Sequence, residues 1–186
     1  MTDHFSIRLA TQEDAALLPQ LEDDAGSLFA TMPLDFLQRL PAEIPFGDVA
    51  FYHQRIAQQL CWVAQRHASK GQSPQVVGVI CADWVLEDKA YYIAELSVAP
   101  LAQGQGIGRA LVSHMQCFAK EKGVDLTLTT FREVPWNAPF YRSCGFVELS
   151  APVITPFLEE RLSEQASHGF LRDDRCAMRW SFATSI

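Results

Sequence analysis

The chain predicts a mixed α/β fold, a central mixed sheet of about seven strands with helices on both faces. Two observations carry that expectation. Apolar runs of strand length alternate with segments of helical spacing along all 186 residues. Residues 76–86 and 91–98 are two long apolar runs separated by little more than Glu87-Asp88-Lys89, which reads as a pair of antiparallel strands. At 48% hydrophobic and 20% charged, the chain can bury a full core and is not disordered. No internal repeat or low-complexity linker divides it, so residues 1–186 read as one domain.

The elements follow in order. Phe5–Leu9 is the first strand. Thr11-Gln-Glu-Asp14 has the form of a capping box, with Asp14 in the Glu/Gln place, for a helix running to about Phe29 that Pro19 bends. The proline-rich stretch 32–45 is a loop with one helical turn. Val49, Tyr52, Ile56 and Leu60 mark a helical face over 48–60. Residues 60–66 form a strand, and 67–74, with Gly71 and Ser73, a hairpin loop. After the two long strands a helix from about 106 sets Ile107, Leu111, Met115 and Phe118 on one face and ends at Lys122-Gly123. Val124, Leu126 and Leu128 alternate with Asp125, Thr127 and Thr129, the signature of a strand with one buried face. A strand at 146–149, a helix near 156–166 and a closing strand at 175–182 complete the chain.

The most informative segment is 93–111, where an apolar strand ends at Pro100 and a turn with Gly104, Gly106 and Gly108 leads into a helix. Free backbone N–H groups at the positive end of a helix dipole hold phosphate, and glycines let a diphosphate approach the main chain. Three phosphate loops compete. The nucleotide P-loop is excluded because no Gly-Lys-Ser/Thr occurs anywhere. The dinucleotide fingerprint fails on spacing, since from Gly104 its third glycine falls on Arg109. What fits is Gln-x-x-Gly-x-Gly at Gln103, Gly106 and Gly108. Its bland alternative is a glycine-rich strand-to-helix turn with no ligand.

That motif resembles the pyrophosphate loop of the GCN5-related N-acetyltransferase (GNAT) superfamily. A second segment, Asn137-Ala-Pro-Phe-Tyr-Arg-Ser-Cys-Gly-Phe, resembles the family's later motif, a short helix carrying Phe-Tyr and closed by Gly-Phe. The chain departs from the pattern at Val134, seven residues before the tyrosine, where many members carry asparagine. Asn137 is therefore open to two roles, a CoA contact or the N-cap of the short helix. The resemblance covers the order of elements over 5–182 but is motif-specific only over about 91–146.

The resemblance implies a GNAT-like sheet, acetyl-CoA as co-substrate without a metal, and direct N-acetyl transfer to a primary amine of a small molecule. A peptide or protein amine is the less favoured acceptor. It places the cofactor against Leu96, Ser97 and Val98, whose last backbone N–H meets the acetyl carbonyl. It continues along Gln103, Gly104, Gln105, Gly106, Ile107, Gly108 and Arg109, and adds Asn137, Phe140 and Arg142. Arg109 and Arg142 either neutralise CoA phosphates or solvate helix surfaces. Dimers are common on this kind of sheet, which leaves a homodimer open.

The chemistry sets its own demands. An alkyl ammonium must lose a proton before it attacks, and the leaving thiolate benefits from gaining one. Tyr141 is the candidate acid; its alternative is a ring packed beside Phe140. Glu95 is the candidate base, because a carboxylate among apolar strand residues is costly unless its face opens to a polar cleft. Its alternative is a structural glutamate paired with an arginine or solvated, and Asp83 is the substitute base. Trp84, Tyr91, Tyr92, Phe29 and Trp136 line either an acceptor pocket or the core. Asp83, Glu87, Asp88 and Glu95 favour a cationic acceptor. A non-catalytic CoA-binding module and a transferase of longer acyl groups are the competing functions.

Other classes are excluded. A formal charge of −7 disfavours nucleic acid as partner. No apolar run reaches the roughly 18 residues of a membrane span, and Asp3 and His4 open no signal pattern, which leaves the cytoplasm as the expected compartment. Cys61, Cys81, Cys117, Cys144 and Cys176 form no CxxC pair and read as reduced thiols, mostly among apolar residues. The five histidines do not cluster, so no metal site is expected. Ser97, Ser113 and His114 lack a Gly-x-Ser-x-Gly elbow, and Cys144 lacks an obvious base.

Overall fold

The computed structural model describes residues 5–42, 44–67 and 73–184. The expected hairpin loop at 67–74 falls mostly outside the described residues, as do Asp3 and His4. Seven strands form one mixed sheet flanked by helices, in the order β1-β2-β3-β4-β5-β7-β6. They are β1 (Phe5–Leu9), β2 (Cys61–Arg66), β3 (Gln75–Val85), β4 (Ala90–Val98), β5 (Asp125–Phe131), β6 (Val147–Glu148) and β7 (Arg175–Trp180). The helices are α1 (Leu18–Gly26), α2 (Leu34–Leu37), α3 (Val49–Ala57), α4 (Ile107–Lys122), α5 (Ala138–Ser143) and α6 (Pro156–Ser167). Among the described residues no helix is long and apolar enough to cross a membrane.

Two compact units compose the chain. The first takes Met1–Thr31, Phe46–Asp83 and Ala94–Met115. Within it β1 and β2 pair antiparallel with Ile7 opposite Ala64, and β2 pairs β3 with Cys61 opposite Cys81 and a bulge at Ala64/Gln65. Leu18, Tyr52, Val63, Val79 and the two cysteines form its core. Gly78 sets how closely α4 approaches β3. A Cβ there would stand 3.1 Å from both Ile107 Cγ2 and Leu111 Cδ1, and 3.3 Å from the Ser97 carbonyl.

The second unit takes Met32–Pro45, Trp84–Ile93 and Gln116–Ile186. Here β4 runs parallel to β5 with Tyr91 opposite Leu126, β7 runs antiparallel to β5, and β6 adds at β7 with Val147 opposite Arg179. Gly123 closes α4 at φ +68°, and the Val124 N–H reaches back to the Ala119 carbonyl at 3.1 Å. Thr155 caps α6 by accepting from the Leu158 N–H.

Several local expectations are corrected. The first helix is not continuous from Thr11. A 3₁₀ turn at Asp14–Ala16 precedes α1, and another, Ser27–Thr31, follows it. Asp14 does accept from the Thr11 N–H at 2.7 Å, but Arg8 of β1 grips both of its carboxylate oxygens, at 2.7 and 2.9 Å. Pro19 stands in the first turn of α1, where its missing N–H costs no bond, and does not bend a helix interior. Val49 is 40% exposed at the start of α3, and Phe118 is only half-buried. Thr127 of β5 is fully buried, because this inner strand is covered on both faces. The closing strand ends at Trp180 and yields to a 3₁₀ turn, and Cys117 is exposed, so the thiols are less uniformly buried than expected.

Candidate active site

In the first unit, the end of β4 is pinned before the chain turns. The Ala99 N–H donates to the Val77 carbonyl at 2.9 Å, and the Gln103 side-chain amide donates to the Val98 carbonyl at 2.9 Å. Gln103, the first residue of the motif, therefore clamps the turn to the strand. Gln105 holds the far side, donating to the Leu101 carbonyl at 2.9 Å and accepting from Arg66 at 3.2 Å. Gly104 and Gly106 take φ of +73° and +82°, and nothing stands within 4 Å of where their Cβ atoms would be. Only glycine combines that backbone with that open space at low cost. The Ala110 N–H closes the first helical bond on the Gly106 carbonyl, so the amides just before it have no acceptor inside α4. Ile107 is buried, while Gly108 is half-buried and Arg109 exposed in the first turn. A run of amides at a helix N-terminus, opened at Gly104 and Gly106, fits a diphosphate.

The same unit gathers a carboxyl cluster. Glu95 of β4 accepts from the Ser97 hydroxyl at 2.6 Å, their i,i+2 spacing setting both on one face of the strand. Glu22 of α1 accepts from the Tyr52 hydroxyl at 2.6 Å and from the Gly47 N–H at 3.1 Å. Glu22 and Glu95 lie close enough for the charge of Glu22 to bear on Glu95. Burial first, and then the Glu22 charge, push Glu95 up to about 8. Burial also raises Glu22, against the opposing pull of the Tyr52 and Gly47 hydrogen bonds. Tyr52 is pushed far above its ordinary value by burial and both carboxylates. Glu95 is half-buried and, among the described residues, forms no ion pair with an arginine. Asp83 is held by Arg55 at 2.6 Å, and that guanidinium lies 3.5 Å over the Phe51 ring, so the substitute base is committed to an ion pair.

Glu22 and Tyr52 escaped sequence reasoning. Glu22 opens the acidic run Glu22-Asp23-Asp24, which looks like a solvated helix face, and Tyr52 was legible only as an apolar-face residue. The one available signal was their common need for a polar partner if buried.

In the second unit α5 carries the later motif. Tyr141 is 8% exposed, its ring edge-to-face with Phe140 at 5.3 Å and Phe146 at 5.4 Å. Gly145 at φ +87° lets the Phe146 N–H return to the Tyr141 carbonyl at 3.0 Å. Asn137 stands at the N-cap position but makes no side-chain cap; its Nδ2 donates to Thr130 Oγ1 at 2.7 Å. Its Oδ1 is buried with no hydrogen-bond partner among the described residues, an acceptor that suits an amide N–H from a ligand. Arg142 bonds Glu148 at 2.6 Å, and Arg132 shares the same carboxylate, so two guanidiniums lean on one negative charge. Tyr91 packs between Trp84 at 5.0 Å and Phe118 at 5.3 Å, while the Tyr92 hydroxyl meets Thr129 Oγ1 at 2.7 Å. These aromatics build the unit's interior, though Trp84 remains 43% exposed; Phe29 and Trp136 are half-buried. Asp88 accepts from Thr155 at 2.6 Å. Among the described residues no group of three or more His, Cys, Asp or Glu converges to hold a metal ion.

The sheet order and its flanking helices define an acetyltransferase fold, which three solved structures share. Rv2747 from Mycobacterium tuberculosis, in complex with CoA and NLQ, superposes with a TM-score of 0.66 at 18% identity, over 95% of this chain and 98% of that one. The PaiA N-acetyltransferase of Thermoplasma acidophilum, in complex with coenzyme A, gives 0.61 at 14% identity over 95% and 98%. The ribosomal-protein-S18-alanine N-acetyltransferase of Escherichia coli gives 0.56 at 18% identity over 94% and 92%. A family model described as an acetyltransferase (GNAT) domain matches residues 57–148, the span that holds the glycine turn, Glu95 and α5. The chain thus carries a GNAT acetyltransferase domain on a fold shared with those N-acetyltransferases.

Proposed function

We propose that the protein transfers the acetyl group of acetyl-CoA directly to the primary amine of a small molecule, with residues 1–186 acting as one catalytic domain. The observation that carries the reading is the turn at Gly104 and Gly106, whose open, left-handed positions head α4 where a diphosphate would sit. Backbone amides over 103–109 hold the phosphates, with Arg109 in reach of their charge. The orphan Oδ1 of Asn137 supports a contact with an amide of the cofactor's arm, alongside Phe140 and Arg142. Leu96, Ser97 and Val98 lie along the acyl end, the Val98 N–H polarising the acetyl carbonyl.

The thioester supplies an activated acyl carbon. Glu95 takes one proton from the ammonium, freeing the lone pair that forms the N–C bond. As the C–S bond breaks, Tyr141 gives its proton to sulfur, and the second N–H proton departs with the nitrogen's positive charge. The net release is one proton per turnover. Holding both substrates together supplies much of the rate. The carboxyls of Glu22 and Glu95 favour a cationic acceptor.

The test is a panel of amines and amino acids with free-thiol detection, together with calorimetry of CoA binding. Heat on CoA addition and acceptor-dependent thiol release are expected. No heat, or no release above background across the panel, overturns the reading. A faster reaction with propionyl- or succinyl-CoA would reassign the acyl group.

A further inference from the structure

We infer that Arg175 is the anchor of a binding site for the carboxylate of a small molecule. The site lies within the second unit and goes beyond the acyl-transfer reading, which calls for no carboxylate. Arg175 opens β7 opposite Phe131, the last residue of β5. Its guanidinium stands 4.4 Å from the centroid of the Phe131 ring and 5.3 Å from that of Phe170, both of them buried. Its Nε donates to Gln165 Oε1 of α6 at 3.1 Å. That amide is itself held, since Gln165 Nε2 donates to Thr129 Oγ1 at 2.7 Å, and Thr129 Oγ1 meets the Tyr92 hydroxyl at 2.7 Å. On the main chain, the Arg175 carbonyl accepts from Arg132 Nη2 at 3.0 Å. Two rings and a hydrogen-bonded chain through α6, β5 and β4 therefore fix the cation.

What the cation lacks is a counter-charge. Among the described residues Arg175 forms no salt bridge. The carboxylates of the elements packed against β7 are engaged with other arginines. Asp174 takes Arg39 at 2.6 Å, Glu159 takes Arg172 at 3.0 Å and Glu164 takes Arg161 at 2.7 Å. Glu148 takes Arg142 at 2.6 Å, and Asp125 takes Arg179 at 3.8 Å. Glu160 and Asp173 are exposed. The bond from Nε is the side chain's one hydrogen bond among the described residues, so both Nη groups have donors to offer. Burial pulls the guanidinium down from 12.5 to about 10, so its charge is held at a cost that an anion from solution would relieve.

Chemistry selects the anion. Two Nη donors side by side match the two oxygens of a carboxylate. One guanidinium balances one negative charge, whereas a phosphate monoester brings about 1.5–2 charges into a site walled by rings. The faces of Phe131 and Phe170 suit an apolar or planar body beside the carboxylate. Benzoate combines the two features and is the probe of choice.

The experiment follows the Arg175 guanidinium by ¹⁵N NMR in the intact protein, titrated at fixed ionic strength with sodium benzoate, benzamide and phenylphosphonate. Benzoate should shift the signals and saturate at about 10 mM or below. Benzamide should leave them unmoved, and phenylphosphonate should bind more weakly than benzoate. Arg175→Gln should weaken benzoate at least about tenfold, and Arg175→Lys, which keeps the charge without the fork, should recover only part of it. Should either variant fail to fold, the wild-type titration alone decides. Unmoved Arg175 signals in benzoate, or benzamide binding as tightly as benzoate, overturns the site. Tighter binding of phenylphosphonate overturns the choice of a carboxylate. Kinetics then identify the source of the carboxylate, comparing the best amine from the panel with the amino acid that carries the same side chain. A KM raised by Arg175→Lys for the amino acid alone supports a site for the acceptor's own carboxylate. Unmoved KM values for both, with benzoate bound, support a site for a separate acid. Benzoate binding in a protein that releases no thiol supports the site and sinks the transfer reading alone.

Discussion

At the scale of single residues, Tyr141 and Glu95 make different demands. The Tyr141 ring is held between Phe140 and Phe146, so removing only its hydroxyl leaves the packing in place. Tyr141→Phe should lower kcat by about 10²-fold or more, the usual worth of a positioned acid, with the CoA dissociation constant unchanged by calorimetry. Equal kcat would return Tyr141 to a packing role. Glu95 has a stability signature as well. Its carboxyl is raised from 4.5 to about 8 by burial and Glu22, so the folded state keeps a proton that the unfolded chain has released. That contribution is complete below pH 4.5 and is lost as pH climbs to about 8. Glu95→Gln should flatten the melting temperature across this window and raise it above the wild type at about pH 8.5. Thermal melts in a buffer series check it, and parallel curves for the two proteins would contradict it.

At the scale of elements, the glycine turn was legible before any coordinates because its signal is local: three glycines, a proline and a helix start within nine residues. The same holds for α5, where Gly145 closes what the Phe-Tyr motif opens. Elements whose form depends on distant partners were misread. Asp14 belongs to Arg8 rather than to a capping box alone, and that pairing crosses from β1. Thr127 is polar but fully buried, a consequence of covering both faces of β5 that alternation along one strand cannot reveal. Glu22 stayed hidden because its partners arrive from α3 and the loop that leads into it. Two substitutions probe the elements. Gly106→Ala forces an L residue to φ +82°, at about 1–2 kcal/mol, and sets a methyl where phosphate should lie. Calorimetry should show CoA affinity falling at least about tenfold. Leu111→Ala empties a fully buried site where α4 meets β3 and should cost about 2–5 kcal/mol in urea unfolding.

For the whole molecule, the excess of acidic over basic side chains acts at a distance. A net charge of −7 draws cations toward the surface and repels anions, an effect confined to about 10 Å at 0.1 M salt. With a cationic acceptor, KM should rise as ionic strength is raised from about 0.02 to 0.5 M, while kcat holds. A KM that falls with salt would point instead to an anionic acceptor. Formal charge is readable from composition alone. Where it concentrates is not, because Asp14, Asp83, Glu148 and Asp174 are each matched by an arginine from elsewhere in the chain.

The left-handed glycines separate two properties that mutagenesis with natural amino acids always confounds, chirality and bulk. A mirror-image residue takes the backbone angles of Gly106 and Gly123, φ +82° and +68°, without strain. D-alanine introduced by chemical ligation at Gly123, at the end of α4, should stiffen the denatured chain and stabilise the fold by about 0.4–1 kcal/mol. The same enantiomer at Gly106 should stabilise the apoprotein to a similar degree yet exclude coenzyme A, isolating the loop's emptiness as the property that function requires.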